Sequence, residues 1–421
     1  MINSKLVLMS ICFSILVVAS KAQQLLIPDM KIFDAKNQTV SNLDYIGKAI
    51  SDSRVVILGE QDHGDASSMQ AKAKLVQYLV EKKGFSVLLW EDDFFAFNQM
   101  SSNTNQYSID SFKSIVSPFW SASTAMQNFW NYLSENARTN KPLRMDGYAI
   151  AFRSAYAKRN LRTHLEALLK TRELSLENSG DKNWFLSMVD SLLFNYNNKV
   201  EKTEQEKFYS WCDRLKTELR KNKKTANAVD EQLIYNIRAT AEYTWLREYR
   251  VKHMAANAYW LLQNRYKNKK VIIWTANYHA IRDYGKAVEN HPTSGPMYRN
   301  AFDKDTVKSF TQLLLEKGQE SIYSLACISL SGTYTPRAWV SMDNPVEKIV
   351  VPEHSIENIL NKQTSSSLFI DLRTLPTDHL LQSPWYMTPV LHTRSLISQW
   401  AYVFDGILFI KEQKGLKEPA E

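Results

Sequence analysis

Glycine and proline are scarce, at 12 each in 421 residues. That shortage argues against low-complexity sequence and against a turn-rich all-β fold, which needs both residues at its corners. Cysteine is rarer still, at three. Cys12 falls in an apolar N-terminal segment, which leaves Cys212 and Cys327, too few and too widely spaced for a cysteine-based zinc site. A disulfide between them stays open, but Cys327 lies in the apolar run Ser324–Leu330, which reads as a buried strand, so a core thiol is expected. Beyond the N-terminus no stretch approaches the roughly 20 apolar residues that span a bilayer, and no stable membrane insertion is expected. A Gly-x-Ser-x-Gly elbow and the two-histidine helical spacing of a zinc protease are both missing.

What is present begins with a leader. Lys5 precedes a charge-free apolar stretch, Leu6–Ser20, and then Ser20-Lys21-Ala22 offers small residues at the positions a signal peptidase reads. Residues 1–22 are therefore expected to be a signal peptide, 23–421 one α/β domain, and the mature protein periplasmic or secreted. The formal charge of +8 drops to +6 without Lys5 and Lys21. The basic runs Arg220–Lys224 and Lys267–Lys270 each follow a helical pattern, where cations favour the helix C-terminus. They are solvated helix ends rather than a nucleic-acid patch, so no nucleic-acid partner is expected.

Three short β-rich runs end in polar residues. Val55–Leu58 leads into Gly59-Glu60, Phe85–Trp90 into Glu91-Asp92-Asp93, and Val271–Trp274 into Thr275-Ala-Asn-Tyr-His279. Continuous apolar runs of this length suit strands buried on both faces, as in parallel sheets. A helical pattern from about Asp65 to Lys83, stopped by Gly84, joins the first two. The middle of the chain, about 153–266, reads as helical almost throughout, and strands return near Ile322–Leu330, Ser367–Asp371 and Gly406–Ile410. The expected fold is α/β, a mostly parallel central sheet flanked by helices, with a large helical insertion in the middle of the chain.

In open α/β sheets the ligand crevice lies outside the carboxyl ends of the strands. Three strand ends here carry Glu60, Asp62 and His63, then Glu91, then Asn277 and His279. A single Glu or His after a strand is most often a cap or loop residue. Agreement among three strand ends points to catalysis, with histidine as base and carboxylates as orienting groups. Gly59 and Gly64 bracket a tight loop, and Asp65 is a plausible N-cap for the following helix. On that helix Met69, Lys72, Val76 and Leu79 share one face, so Lys72 either snorkels or points into the site. His164, His253, His291, His354, His379 and His392 have no motif support and are expected to be surface or core residues.

The segment Val55–Gly64, the helix, Gly84-Phe85 and the strand ending in Glu91 together resemble the opening of the erythromycin esterase family. Its pattern is a strand ending Gly-Glu-x-x-His, a helix, a Gly-Phe pair and a strand ending in Glu. Arg250-Val-Lys-His-Met254-Ala255, Asn277-Tyr-His279 and Phe404-Asp405-Gly406 resemble later family segments, so the likeness spans roughly residues 40–412. The resemblance implies hydrolysis of a macrolide lactone by water acting through a histidine, with no covalent serine intermediate. Carried onto this chain it makes His63 the general base, with Glu60, Glu91 and His279 around it. Lys72, Asn277 and Arg250 are expected to bind a small-molecule substrate, and no cofactor is required.

The departures matter as much. Ala276 stands where the family usually has a histidine, Lys72 where it has arginine, Ser67 where it has an acid, and Gly147-Tyr148-Ala149 where it has Gly-x-Asp. Lysine is a point charge where arginine is a bidentate fork. The expectation is a substrate other than a macrolide, weakened turnover, or both. Two other readings stay open: a metal-dependent hydrolase using the same Glu/His cluster with a divalent metal such as zinc or manganese, and a non-catalytic protein binding haem or a lipid-like ligand.

Overall fold

The computed structural model describes residues 31–32, 43–102, 108–171, 179–194, 199–221, 228–247, 249–286, 307–319, 321–363 and 367–416. The leader expected at 1–22 and His291 lie outside them.

The apolar runs form the middle of a sheet. Its strands are β1 (Lys31–Ile32), β2 (Val55–Leu58), β3 (Phe85–Asp93), β4 (Arg144–Ala149), β5 (Lys270–Trp274), β6 (Ile322–Tyr334), β7 (Glu347–Lys348), β8 (Leu368–Asp371) and β11 (Gly406–Gln413). They are ordered β1-β8-β11-β6-β2-β5-β3-β4, with β7 attached to β6. From β11 through β4 every pairing is parallel, while β8, β1 and β7 add antiparallel at the margins. A separate hairpin pairs β9 (Trp385–Val390) with β10 (Arg394–Ser398).

Strand alternation divides the core. Val56, Leu58, Leu88, Trp90, Ile272 and Trp274 pack on one face of the sheet, and Val55, Ile57, Val87, Leu89, Val271 and Ile273 on the other. Burial of both faces is why these strands read as unbroken apolar runs. The helix Ala66–Lys83 connects β2 to β3 and ends at Gly84, whose φ of 73° is the left-handed conformation that a C-terminal glycine supplies. Met69, Lys72, Val76 and Leu79 are all buried on it.

Helices occupy the middle of the chain: Ala155–Thr171, Ser179–Phe194, Lys202–Lys221, Ala228–Leu246 and Val251–Trp260, the last continuing into a π turn at Leu261–Arg265. They carry an apolar cluster of their own, including Leu161, Phe185, Trp211 and Ile237. Among the described residues no helix is long and apolar enough to cross a membrane.

Strands β1 and β7 and the β9–β10 hairpin were not expected from the sequence. Pro384 and Pro389 bracket the body of β9 and obscure its pattern, and β7 is only two residues long. The strands expected at Ile322–Leu330 and Gly406–Ile410 run on to Tyr334 and Gln413. Cys212 and Cys327 are both buried free thiols, as expected for core residues.

Candidate active site

Strand order makes the site. β5 lies between β2 and β3, and Trp274 is level with Leu58 on one side and Trp90 on the other. The first residues past these levels are therefore neighbours: Gly59-Glu60, Thr275 and Glu91. Below them Trp90 and Trp274 stack at 5.2 Å between ring centroids, and Phe129 lies 5.8 Å from Trp274. This aromatic layer walls off water, which strengthens every charge interaction above it.

Glu60 is fully buried between two cationic groups. One carboxylate oxygen is 2.7 Å from His63 Nδ1 and the other accepts from Lys72 Nζ at 2.7 Å. Lys72 does not snorkel. It is wholly buried, also donates to the Thr275 carbonyl at 3.0 Å, and rests 4.2 Å from the centre of the Trp274 ring. Burial raises the Glu60 pKa, but Lys72 and His63 outweigh it and hold the carboxyl below its ordinary value. Burial depresses Lys72 more than Glu60 restores it, so its pKa is lowered.

His63 is the exposed end of this chain, with 15% of its side chain accessible. Burial lowers its pKa, yet the hydrogen bond to Glu60 and the charges of Glu60, Glu91 and Asp62 carry it above the ordinary histidine value. Phe119 stacks on the imidazole at 5.0 Å, and the rings of Trp120 and Trp339 meet it edge-on at 5.2 and 5.9 Å. With Nδ1 bonded to Glu60, Nε2 is the nitrogen left for chemistry.

A second carboxylate–histidine pair faces the first. Glu91 accepts from His279 Nε2 at 3.1 Å, from Arg250 Nη2 at 3.2 Å and from Thr275 Oγ1 at 2.7 Å. Burial raises its pKa, and His279, His63 and Arg250 pull it well below the ordinary value. His279 Nδ1 is buried without a hydrogen-bond partner. The charges of His63 and Glu91 act on each other directly, so the two pairs form one electrostatic unit.

Glu60, His63, Glu91 and His279 are thus brought together with Arg250. Lys72 and Asn277, expected to bind substrate, face the protein instead. Lys72 supports Glu60. Asn277 is fully buried; its amide donates to the carbonyls of Cys327 and Pro389 at 2.6 and 2.9 Å, and its carbonyl accepts from Cys327 N at 3.1 Å. It ties the end of β5 to β6 and to the hairpin. Asp405 also has a structural place, accepting from Arg282 at 2.6 Å and from Ser324 N at 2.8 Å. Where the family usually carries a histidine, Ala276 is the N-cap of the short helix Asn277–Ala280.

Sequence reading missed Thr275 and the aromatic box. Thr275 was within reach of it, because it follows Trp274 just as Glu91 follows Trp90. Phe119, Trp120 and Trp339 come from loops and a one-turn helix with no periodic signal. Among the described residues no group of three or more His, Cys, Asp or Glu side chains is arranged to hold a metal ion. The carboxylates of Glu60 and Glu91 are instead paired with Lys72 and Arg250.

The loop bracketed by Gly59 and Gly64 needs both glycines for space. A Cβ on Gly59 would come 2.2 Å from Asn277 Oδ1, and one on Gly64 1.9 Å from the Thr335 carbonyl oxygen. Gly64→Ala is expected to cost about 1–3 kcal/mol of stability through forced overpacking and to displace His63. Denaturant titration of wild type and variant measures it; an unchanged midpoint would show that the 335 segment yields freely.

Comparison with known proteins bears on the family and the fold. A family model described as erythromycin esterase matches residues 80–413, which includes Glu91, Arg250 and His279 but starts after the Glu60–His63 loop. YbfO of Bacillus subtilis (strain 168), a hydrolase by name, is 23% identical over 410 residues, covering 90% of this chain and 86% of its own. A Bacillus cereus protein of known structure superposes with a TM-score of 0.71 at 17% identity, over 94% of this chain and 98% of its own. A mutant of the erythromycin esterase EreC, solved in its open conformation, superposes at 0.61 with 18% identity, over 92% of this chain and 98% of its own. These structural likenesses show a shared fold.

Proposed function

The chain belongs to the erythromycin esterase family and is a hydrolase, and from that premise we propose that it cleaves a carboxylic ester or lactone with water, using His63 as general base. The observation that carries this reading is the Lys72–Glu60–His63 chain. A buried carboxylate fixed by the Lys72 ammonium holds an imidazole by Nδ1 and leaves Nε2 toward the accessible side. In the proposed reaction Nε2 takes a proton from water, and the hydroxide adds to the carbonyl carbon. The imidazolium, stabilised by Glu60, then returns the proton to the departing alkoxide oxygen, and the carbonyl bond reforms as that C–O bond breaks. Arg250, one-third exposed and already on Glu91, is the cation closest at hand for the oxyanion. Glu91 and His279 shape the opposite wall and keep Arg250 in place. The aromatic residues around His63 suit a substrate with an apolar portion beside the scissile bond. The leader-like N-terminus supports export, which N-terminal sequencing of the mature protein checks by a start at Gln23.

The test is a panel of macrolides, simpler lactones and aryl esters, incubated with purified protein before and after chelation. Hydrolysis that survives chelation supports a histidine–water route; hydrolysis abolished by chelation and restored by zinc or manganese would turn the site over to a metal. The pH profile carries its own prediction. The base works neutral and its pKa is raised, so kcat/KM should rise with pH through a limb lying above 6.5, the ordinary histidine value. A limb below that value would contradict the Glu60–His63 pairing. Stability follows by linkage. The raised His63 contributes fully below its unfolded pKa and loses that contribution as pH climbs through its folded one. The lowered Glu60 contributes above its unfolded pKa and loses it as pH falls through its folded one.

A further inference from the structure

On the far side of the Glu60–Asp65 loop lies a polar cluster that the reaction above does not use. Asp65 occupies the N-cap position of the helix Ala66–Lys83, yet its side chain caps nothing. The N–H it would ordinarily take, that of Ser68, is bonded to Gln413 Oε1 at 3.1 Å. Its carboxylate turns back instead, accepting from Asp62 N at 3.0 Å and bonding His392 Nε2 at 2.7 Å. Asp62 in turn accepts from Gly64 N at 3.0 Å.

His392 belongs to the turn between β9 and β10, and it is buried. It and Leu391 both adopt left-handed φ angles, 51° and 54°, costly for residues with a Cβ and maintained only where the surroundings impose them. The Tyr334 ring lies 4.4 Å from the imidazole, and Nδ1 is buried without a partner. Two further bonds fasten the hairpin to the same loop: Leu391 N to the Gln61 carbonyl at 2.9 Å, and Gln61 Nε2 to the Thr388 carbonyl at 2.5 Å. The hairpin thus grips the segment carrying Glu60 and His63 at each end.

We propose that His392 is a positioning residue for the active site, its Nε2–Asp65 bond clamping the Glu60–Asp65 loop so that His63 stays on Glu60. This rests on the reading of His63 as the base. Three acids crowd the clamp. Burial, with Asp65 adding to it, pushes Asp62 up to about 7, and burial pushes Glu357, which accepts from Thr388 N at 2.7 Å, up to about 7. The groups acting on His63 itself are Glu60, Glu91 and Asp62. The Asp65–His392 bond joins two segments 327 residues apart, so the geometry of the loop depends on its reach.

Two substitutions separate reach from charge. In His392→Gln the amide nitrogen stands where Nε2 did. In His392→Asn it stands where Nδ1 did, too short for Asp65, and asparagine accepts the left-handed turn. Both are neutral amides. The readout is the pKa of His63 in the full chain, followed by NMR of 13C-labelled histidine and assigned by the resonance lost in His63→Asn. His392→Gln should keep the wild-type value, and His392→Asn should lower it by about one pH unit toward the ordinary value. An unchanged value in His392→Asn, or equal shifts in both variants, overturns the proposal. Hydrolysis of p-nitrophenyl butyrate tells the two readings apart. If the clamp positions His63 and His63 is the base, kcat falls in His392→Asn while KM holds. The NMR shift in a protein inert toward every ester tested would keep the clamp and remove the base.

Discussion

Glu60→Gln should lower kcat by about four orders of magnitude, comparable to neutralising the orienting acid of a histidine-based hydrolase. The carboxylate has two jobs that one amide cannot share. Its two oxygens accept from His63 and from Lys72 at 2.7 Å each, whereas an amide presents one oxygen and one NH2. Whichever cation meets the NH2 loses its partner, and the imidazolium formed during turnover loses its counter-charge. A second signature accompanies the loss. Glu60 is the largest influence lifting the His63 pKa against burial, so the acid limb of the residual rate should move to lower pH. Loss of rate with an unmoved limb would mean that Glu60 serves the fold and does not tune the base.

Lys72→Met should carry the largest stability effect. Removing one member of a buried ion pair strands the other, at about 3–5 kcal/mol. Glu60 would retain only His63, which is a cation only at pH values below its own pKa. The deficit should accordingly grow as pH rises and His63 loses its proton, and shrink in acid. The double variant Glu60→Gln/Lys72→Met should be more stable than Lys72→Met alone, because no buried charge is left without a partner. Denaturant titrations at several pH values measure both effects. A Lys72→Met protein within 1 kcal/mol of wild type at alkaline pH would show that water reaches Glu60.

The same two residues show how far the sequence could be read. Apolar runs ending in Glu60, Glu91 and His279 were enough to place an α/β sheet and to converge the four central groups, since a parallel sheet leaves those ends side by side. The helical stripe of Met69, Lys72, Val76 and Leu79 put Lys72 on the apolar face of its helix and left open whether it snorkels or points into the site. It did not say that the ammonium would find Glu60, because the partner arrives from a different element. Asn277 misled for a related reason: its position past a strand end suggested a substrate contact, while the approach of Cys327 and Pro389 consumed its polar atoms. The β9–β10 hairpin, and with it the His392–Asp65 bond across 327 residues, had no local signature, since two prolines and a strained turn conceal a short strand pair. Asp65 was legible as a cap position. Gln413, from the last strand, took the cap's role and freed it for the clamp.

Mass spectrometry of the lactone and ester panel, with wild type beside His63→Asn, tests the central claim most directly. Wild type should add one water to at least one member, with no mass increment left on the protein, and His63→Asn, equally folded by circular dichroism, should add none above background. Equal conversion by both proteins, or an acylated protein trapped on the way, would contradict the assignment of His63 to water.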